Sequence, residues 1–258
     1  GGATDTLVIE GVDGGTGTGN DSFTVRNAAG ATPAGPVSVT NNKGTLARVT
    51  AVNASMGRLQ INTLGGDDVV TVDVNGTALI TVPITFDGGA NSDLLQVQGT
   101  PTGGAVNATY RPGPAVTEGR LTWVNAATMT VDIVNLEPVI DLVPGTLTVN
   151  GTDAANQITY SAKVNNGLVT VDTFESIEFG LKTDVTINAG SGQDTVSVAN
   201  TSAGMSGILT VDGGDPVGGD LLIVNGNNLA TLAIDTANRQ ITGAGPTRVD
   251  YPNIEAIT

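Results

Sequence analysis

A chain of 258 residues is long enough for one or two domains with a sizeable core, and its apolar share of 39% with only 3% aromatics means that core must be built from Val, Ile, Leu and Ala. Twenty-five acids against ten scattered bases give a formal net charge of -15, which excludes the basic surface that nucleic-acid phosphates require. The chain has no Cys and no His, which removes disulfides, thiolate chemistry, Ser-His-Asp catalysis and histidine metal sites.

Read from the start, the chain is a series of short period-2 strand phrases, many of them opened by an acid after Gly-rich sequence. The first two are Asp5-Thr6-Leu7-Val8-Ile9-Glu10-Gly11 and Asp21-Ser22-Phe23-Thr24-Val25. Leu59-Gln60-Ile61-Asn62, Asp68-Val69-Val70-Thr71-Val72, Ile84-Thr85-Phe86-Asp87-Gly88-Gly89 and Asp93-Leu94-Leu95-Gln96-Val97 follow. Residues 100–130 break the rhythm with Tyr110, Trp123 and the Pro-rich Arg111-Pro112-Gly113-Pro114, and read as an insertion loop or side hairpin. Asn135-Leu136-Glu137 then closes the set.

A second set repeats the first. Asn156-Gln157-Ile158-Thr159-Tyr160 is a weaker copy of the acid-led phrase, followed by Val185-Thr186-Ile187-Asn188 and Asp194-Thr195-Val196-Ser197-Val198. Leu209-Thr210-Val211-Asp212-Gly213-Gly214, Asp220-Leu221-Leu222-Ile223-Val224 and Asn253-Ile254-Glu255 complete it. Asp194 lies 126 residues after Asp68, and Asp220 lies 127 after Asp93. The chain therefore divides into two copies of one module, 1–142 (with the insertion at about 100–130) and 143–258. No segment has sustained helical periodicity, and no run of about 18 apolar residues forms a membrane span.

Within a module, equivalent phrases recur 24 to 26 residues apart, as from Leu59 to Ile84 and from Val185 to Leu209. That spacing suits one rung of an all-β parallel β-helix or β-solenoid, in which β-branched side chains stack from rung to rung in a core too narrow for many aromatics. The alternative is two tandem immunoglobulin-like β-sandwich domains, since about 120 residues with many short strands also suits that fold.

The Gly-then-Asp phrases carry a resemblance. Gly190-Ser191-Gly192-Gln193-Asp194-Thr195-Val196 and Gly17-Thr18-Gly19-Asn20-Asp21-Ser22-Phe23 hold most of the calcium β-roll nonapeptide pattern, and Gly88-Gly89-Ala90-Asn91-Ser92-Asp93-Leu94 holds part of it. The sequence here resembles the repeat-in-toxin proteins, and more closely the large secreted tandem-repeat β-strand (β-solenoid) surface and fibre proteins of bacteria. The resemblance implies calcium as the possible cofactor, with Asp21, Asp68, Asp93, Asp194 and Asp220 as ligands and Asp67, Asp87, Asp212 and Asp215 in support. The departure is that copies stand singly, whereas β-rolls share each ion between immediately consecutive turns. The competing reading is structural: each Asp accepts backbone N–H groups in a turn and starts a strand.

The Glu of the closing phrases (Glu137, Glu178, Glu255) reads as a repeated structural residue, and Asp67-Asp68 has no His to complete a polysaccharide-hydrolase site. Of six glycosylation sequons, Asn20 and Asn75 stand in turns and are the candidates. Finally, Ile254-Glu255-Ala256-Ile257, joined through Thr258 to Gly1, leads to Thr6-Leu7-Val8-Ile9-Glu10-Gly11 at the same spacing as Leu136-Glu137-Pro138-Val139 leads to Thr146-Leu147-Thr148-Val149-Asn150-Gly151. The expectation is a non-enzymatic structural unit of an extracellular, cell-surface bacterial fibre, stalk or adhesin shaft, partnered head to tail by copies of itself through its ends. A glycan- or protein-binding adhesin module using Tyr110, Arg111, Arg120 and Trp123 is the alternative; a polysaccharide-active β-helix enzyme ranks last. The chain begins with neither Met nor a signal peptide, as either a trimmed secreted precursor or an excerpt of a larger chain would.

Overall fold

Alternation of one apolar residue with one Thr, Gln or Asn puts a single face of each segment into the core, and that pattern governs nearly every element. The computed structural model describes residues 5–11, 19–27, 35–42, 49–52 (backbone only), 56–215, 219–226 and 232–258. Gly17-Thr18 of the first Gly/Asp motif lie outside them, as does Asn53-Ala54-Ser55, another of the six sequons. The protein is all-β, with no helix among the described residues. It folds as two compact units, residues 1–106 with 113–143, and residues 107–112 with 144–258.

The first unit contains β1 (Asp5–Glu10), β2 (Ser22–Asn27), β3 (Val37–Asn41), β4 (Val49–Val52), β5 (Met56–Asn62), β6 (Val69–Asp73), β7 (Ile84–Asp87) and β8 (Leu94–Gln98). After β9 (Val106–Pro112), of which Asn107–Pro112 belongs to the second unit, it continues with β10 (Glu118–Val124), β11 (Thr128–Val134) and β12 (Val139–Leu142). The chain alternates between two sheets as it advances. β1, β5, β7 and β11 pair in parallel in one sheet, while β2, β6, β8 and β12 pair in parallel in the other. Residues read from the sequence as one rung apart are direct partners: Leu59 opposes Ile84 and Val69 opposes Leu94. Antiparallel strands extend the rungs sideways, β3 and β4 beside β2, and β10 beside β11.

The second unit contains β13 (Gly145–Asn150), β14 (Gln157–Lys163), β15 (Asn166–Val171), β16 (Ile177–Phe179), β17 (Lys182–Asn188) and β18 (Thr195–Ala199). It ends with β19 (Ile208–Asp212), β20 (Leu221–Asn225), β21 (Ala233–Asp235), β22 (Gln240–Thr242), β23 (Arg248–Asp250) and β24 (Ala256–Ile257). β13, β17, β19 and β23 pair in parallel, as do β14, β18, β20 and β24. β15 and β16 lie antiparallel beside β14, and β21 and β22 lie antiparallel beside β23. Each strand of the first twelve thus has a counterpart twelve places later, and the parallel pairings of the first unit recur among their counterparts in the second.

Register turns the alternating pattern into stacked columns. Leu59, Ile84 and Val131 form one, Ile61, Phe86 and Ile133 the next, and Val70 and Leu95 stack in the facing sheet with Val139. Leu147, Val185, Leu209 and Val249 form the corresponding column in the second unit. All these side chains are at most 1% exposed. Each removal of such a side chain from water stabilises the fold by about 1.5–3 kcal/mol.

Candidate functional site: a buried aspartate ladder

Where the chain passes from one sheet to the other, it turns a tight corner and the ordinary ladder of backbone hydrogen bonds is interrupted. Corners of successive rungs rest on one another: Ala90 N–H donates to Leu64 O at 2.9 Å, and Gly66 N–H to Ala90 O at 3.2 Å. The last residue of the corner has a buried N–H that finds no carbonyl, and a buried N–H left unpaired is costly. The predicted aspartates answer that need.

Asp68 Oδ1 accepts the N–H of Asp21, and Asp93 Oδ1 accepts the N–H of Asp68 at 2.9 Å. In the second unit Asp194 Oδ1 accepts the N–H of Asn156 at 2.7 Å, and Asp220 Oδ1 accepts that of Asp194 at 2.8 Å. Glu255 Oε2 accepts the N–H of Asp220 at 2.6 Å, so the closing-phrase glutamate ends this run. The backbone resumes one residue later, with Leu94 N–H donating to Asp68 O and Leu221 N–H to Asp194 O, both at 2.8 Å. Each Asp is a hinge pin: its side chain supplies the acceptor that the corner removed.

The second carboxylate oxygens point inward. Oδ2 of Asp68, Asp93, Asp194 and Asp220 is buried and has no hydrogen-bond partner. Desolvation is the largest influence on all four and raises each above its ordinary value, Asp93 to about 7 and Asp194 to about 6. Neighbouring acids add to the rise, Asp68 and Glu137 for Asp93, and Asp220, Asp172 and Asp215 for Asp194. A proton on Oδ2 leaves Oδ1 free to accept the backbone N–H, so the neutral carboxyl performs the same structural task at lower cost.

Glycines make room for these carboxyls, a feature the sequence reading passed over. A Cβ on Gly88 would lie 2.6 Å from Asp93 Oδ2 and 2.3 Å from Asn135 O; on Gly213 it would lie 2.6 Å from Asp220 Oδ2 and 2.1 Å from Asn253 O. The signal was present as the recurrent Asp-Gly-Gly of Asp87-Gly88-Gly89 and Asp212-Gly213-Gly214. Gly88→Ala is expected to cost about 1–3 kcal/mol by overpacking against backbone that does not yield, measurable as a lower denaturation midpoint. Gly104→Ala, where the added Cβ meets open space but φ is +82°, isolates the backbone contribution.

Three of the four supporting acids, Asp67, Asp87 and Asp212, are engaged elsewhere. Asp67 Oδ1 accepts Ser92 N–H at 3.2 Å, while Asp87 and Asp212 accept the Nδ2 amides of Asn135 and Asn253 at 2.9 and 2.8 Å. Among the described residues no three acidic side chains converge as a metal cage would require. The ladder sets one carboxylate on each rung, with Oδ1 of Asp68, Asp93, Asp194 and Asp220 committed to backbone, whereas Ca²⁺ takes six to eight oxygens. The glycosylation candidates are both exposed: Asn20 Oδ1 accepts Asp67 N–H at 3.0 Å, and Asn75 sits in the turn before Gly76.

The aromatic residues of the insertion do not form a ligand face. Trp123 and Tyr110 are 0% exposed. Trp123 Nε1 donates to Asp141 Oδ2 at 3.1 Å inside the first unit, and Tyr110 OH donates to Glu175 O at 2.7 Å inside the second. Arg111 and Arg120 are exposed, and Arg120 pairs with Asp132 at 2.6 Å. Glu137 is exposed, with its N–H donating to Asp93 O at 2.8 Å, and Glu178 accepts from Asn166 and Lys163 at 2.7 and 3.0 Å.

Compared with protein-family models, with curated proteins and with solved structures, the chain matches none.

Proposed function

We propose that this chain is a structural repeat unit of an extracellular bacterial fibre, stalk or adhesin shaft, built from β-solenoid modules joined head to tail. The observation that carries the proposal is the duplication: twelve strands, then twelve counterparts, with the parallel pairings of the first unit repeated in the second. Such duplication is the mark of architectures that grow by adding units. Parallel pairing between successive turns supports a solenoid, because an immunoglobulin-like sandwich is built of antiparallel sheets. The resemblance to secreted tandem-repeat surface proteins supports the extracellular setting.

In this function the work is mechanical. Stacked Val, Ile and Leu exclude water along each unit, backbone pairing runs from turn to turn, and the aspartates hold the corners where that pairing lapses. The aspartates act as backbone acceptors rather than as calcium ligands, so assembly and stability are expected to be indifferent to chelator. Electron micrographs of concentrated protein should show rods, equally with calcium and with a calcium chelator present. Compact single particles at every concentration would remove the proposal, and rods that form only with calcium would return the aspartates to the role of ligands.

A further inference from the structure

We propose that β21 of one copy of this chain adds to the open edge of β1 of a second copy, forming the head-to-tail junction. The proposal rests on the fibre function proposed above and specifies its contact surface. It follows from the duplication, which makes β21 the counterpart of β9 and β1 the counterpart of β13.

Inside the second unit, β9 and β13 are already neighbours in one sheet. Thr146 Oγ1 donates to Asn107 Oδ1 at 3.0 Å, and Asn150 Nδ2 donates to Tyr110 O at 3.2 Å. The two links follow the same order along both strands. With β9 in place, β13 is covered, and Leu147 and Val149 are 1% and 0% exposed.

The counterparts are uncovered. β1 carries Thr6, Leu7, Ile9 and Gly11 where the second module has Thr146, Leu147, Val149 and Gly151. Yet Leu7 and Ile9 are only partly buried and Val8 is 45% exposed. All three residues of β21 are exposed, with Ile234 at 48%, although Ile241 beside it on β22 is 0% exposed. Among the described residues β1 pairs only with β5, and β21 only with β22. Two apolar sheet edges left open are a standing invitation to strand addition. A second copy is the partner that carries the counterpart of β9, the strand that fills this place internally. The side-chain links differ: Glu10 stands where Asn150 donates, and β21 (Ala233-Ile234-Asp235) has no Asn, so the junction between copies rests on strand pairing.

The test is sedimentation velocity of the whole chain across a concentration series, with amide hydrogen exchange read on the associated protein. Ile234→Asp places a charge on an edge that is solvent-exposed in the single chain, so the fold is kept, as circular dichroism would verify. It is expected to weaken association by at least about tenfold. Val164→Asp, at a 92% exposed turn residue, is expected to leave association unchanged. In the associated wild type, amides of Leu7–Glu10 and of Ile234 should exchange more slowly by about tenfold or more. If the wild type associates, Ile234→Asp associates equally well and the β1 amides stay unprotected, the junction lies elsewhere and this proposal is overturned while the fibre function stands. If the wild type never associates, both fall together.

Discussion

Replacing Asp93 and Asp194 by Ala, singly, lowers stability by about 1–3 kcal/mol each, because each leaves a buried backbone N–H without its acceptor. Replacing them by Asn has a different signature. An amide keeps a carbonyl oxygen for the Asp68 or Asn156 N–H, and a neutral Asn156 already occupies the ladder position in the second module. What Asn removes is the pH dependence. Both carboxyls have folded-state values, about 7 and about 6, above the ordinary 3.8. In the range between, the folded state holds more protons than the unfolded state, so stability falls as pH rises. Their stabilising contribution is fully present below about pH 4 and lost as pH climbs through 6 to 7. The wild-type melting temperature should therefore decline over that interval, and the Asp93→Asn/Asp194→Asn variant should decline less. Parallel pH profiles for the two proteins would show that the ladder carboxyls do not titrate in this range.

Trp123→Ala is expected to cost about 3–5 kcal/mol, which for a chain of this size lowers the melting temperature by roughly 10 °C. The ring is fully buried on β10, opposite Met129 of β11, and its N–H satisfies Asp141 Oδ2 inside the core. Truncation opens a cavity and strips a buried carboxylate of a donor at once. A Trp that served a ligand face would behave otherwise: the variant would melt like the wild type and lose binding to a glycan array. Thermal melting and array binding measured on the same variant separate the two roles.

The strands were legible because their signal is local. Leu59-Gln60-Ile61-Asn62 declares its buried face within four residues, and the 25-residue step to Ile84 identifies its partner. The ladder positions were legible for the same reason, since Asp68, Asp93, Asp194 and Asp220 each open a phrase. Their chemistry stayed open between a cation and a backbone N–H. Whether an Asp after Gly-rich sequence grips a cation or a backbone N–H depends on the residue stacked beneath it, which for Asp93 is Asp68, 25 residues away. Both arrangements need the same glycines and the same acid.

The side strands were harder still. β15 with β16 and β21 with β22 carry Asn, Gln and Asp among short apolar runs, and β21 is only three residues long, too few for a period to register. The role of Tyr110 and Trp123 was open between core and ligand face for a physical reason as well. A Pro-rich interruption with aromatics has the composition of a binding loop, but here it forms β9 and β10, and pairing places the rings on the inner face. The exposure of the β1 edge stands out only when its burial is set against that of β13, a comparison that needs the folded structure.

The central claim is that copies of this chain continue one another's sheets along an axis. X-ray diffraction from an oriented, concentrated sample tests it most directly. The claim predicts a meridional reflection at about 4.8 Å, the spacing between paired strands, with strands lying across the fibre axis. An equatorial 4.8 Å reflection, or a sample that never orients because it contains only single compact particles, would contradict it.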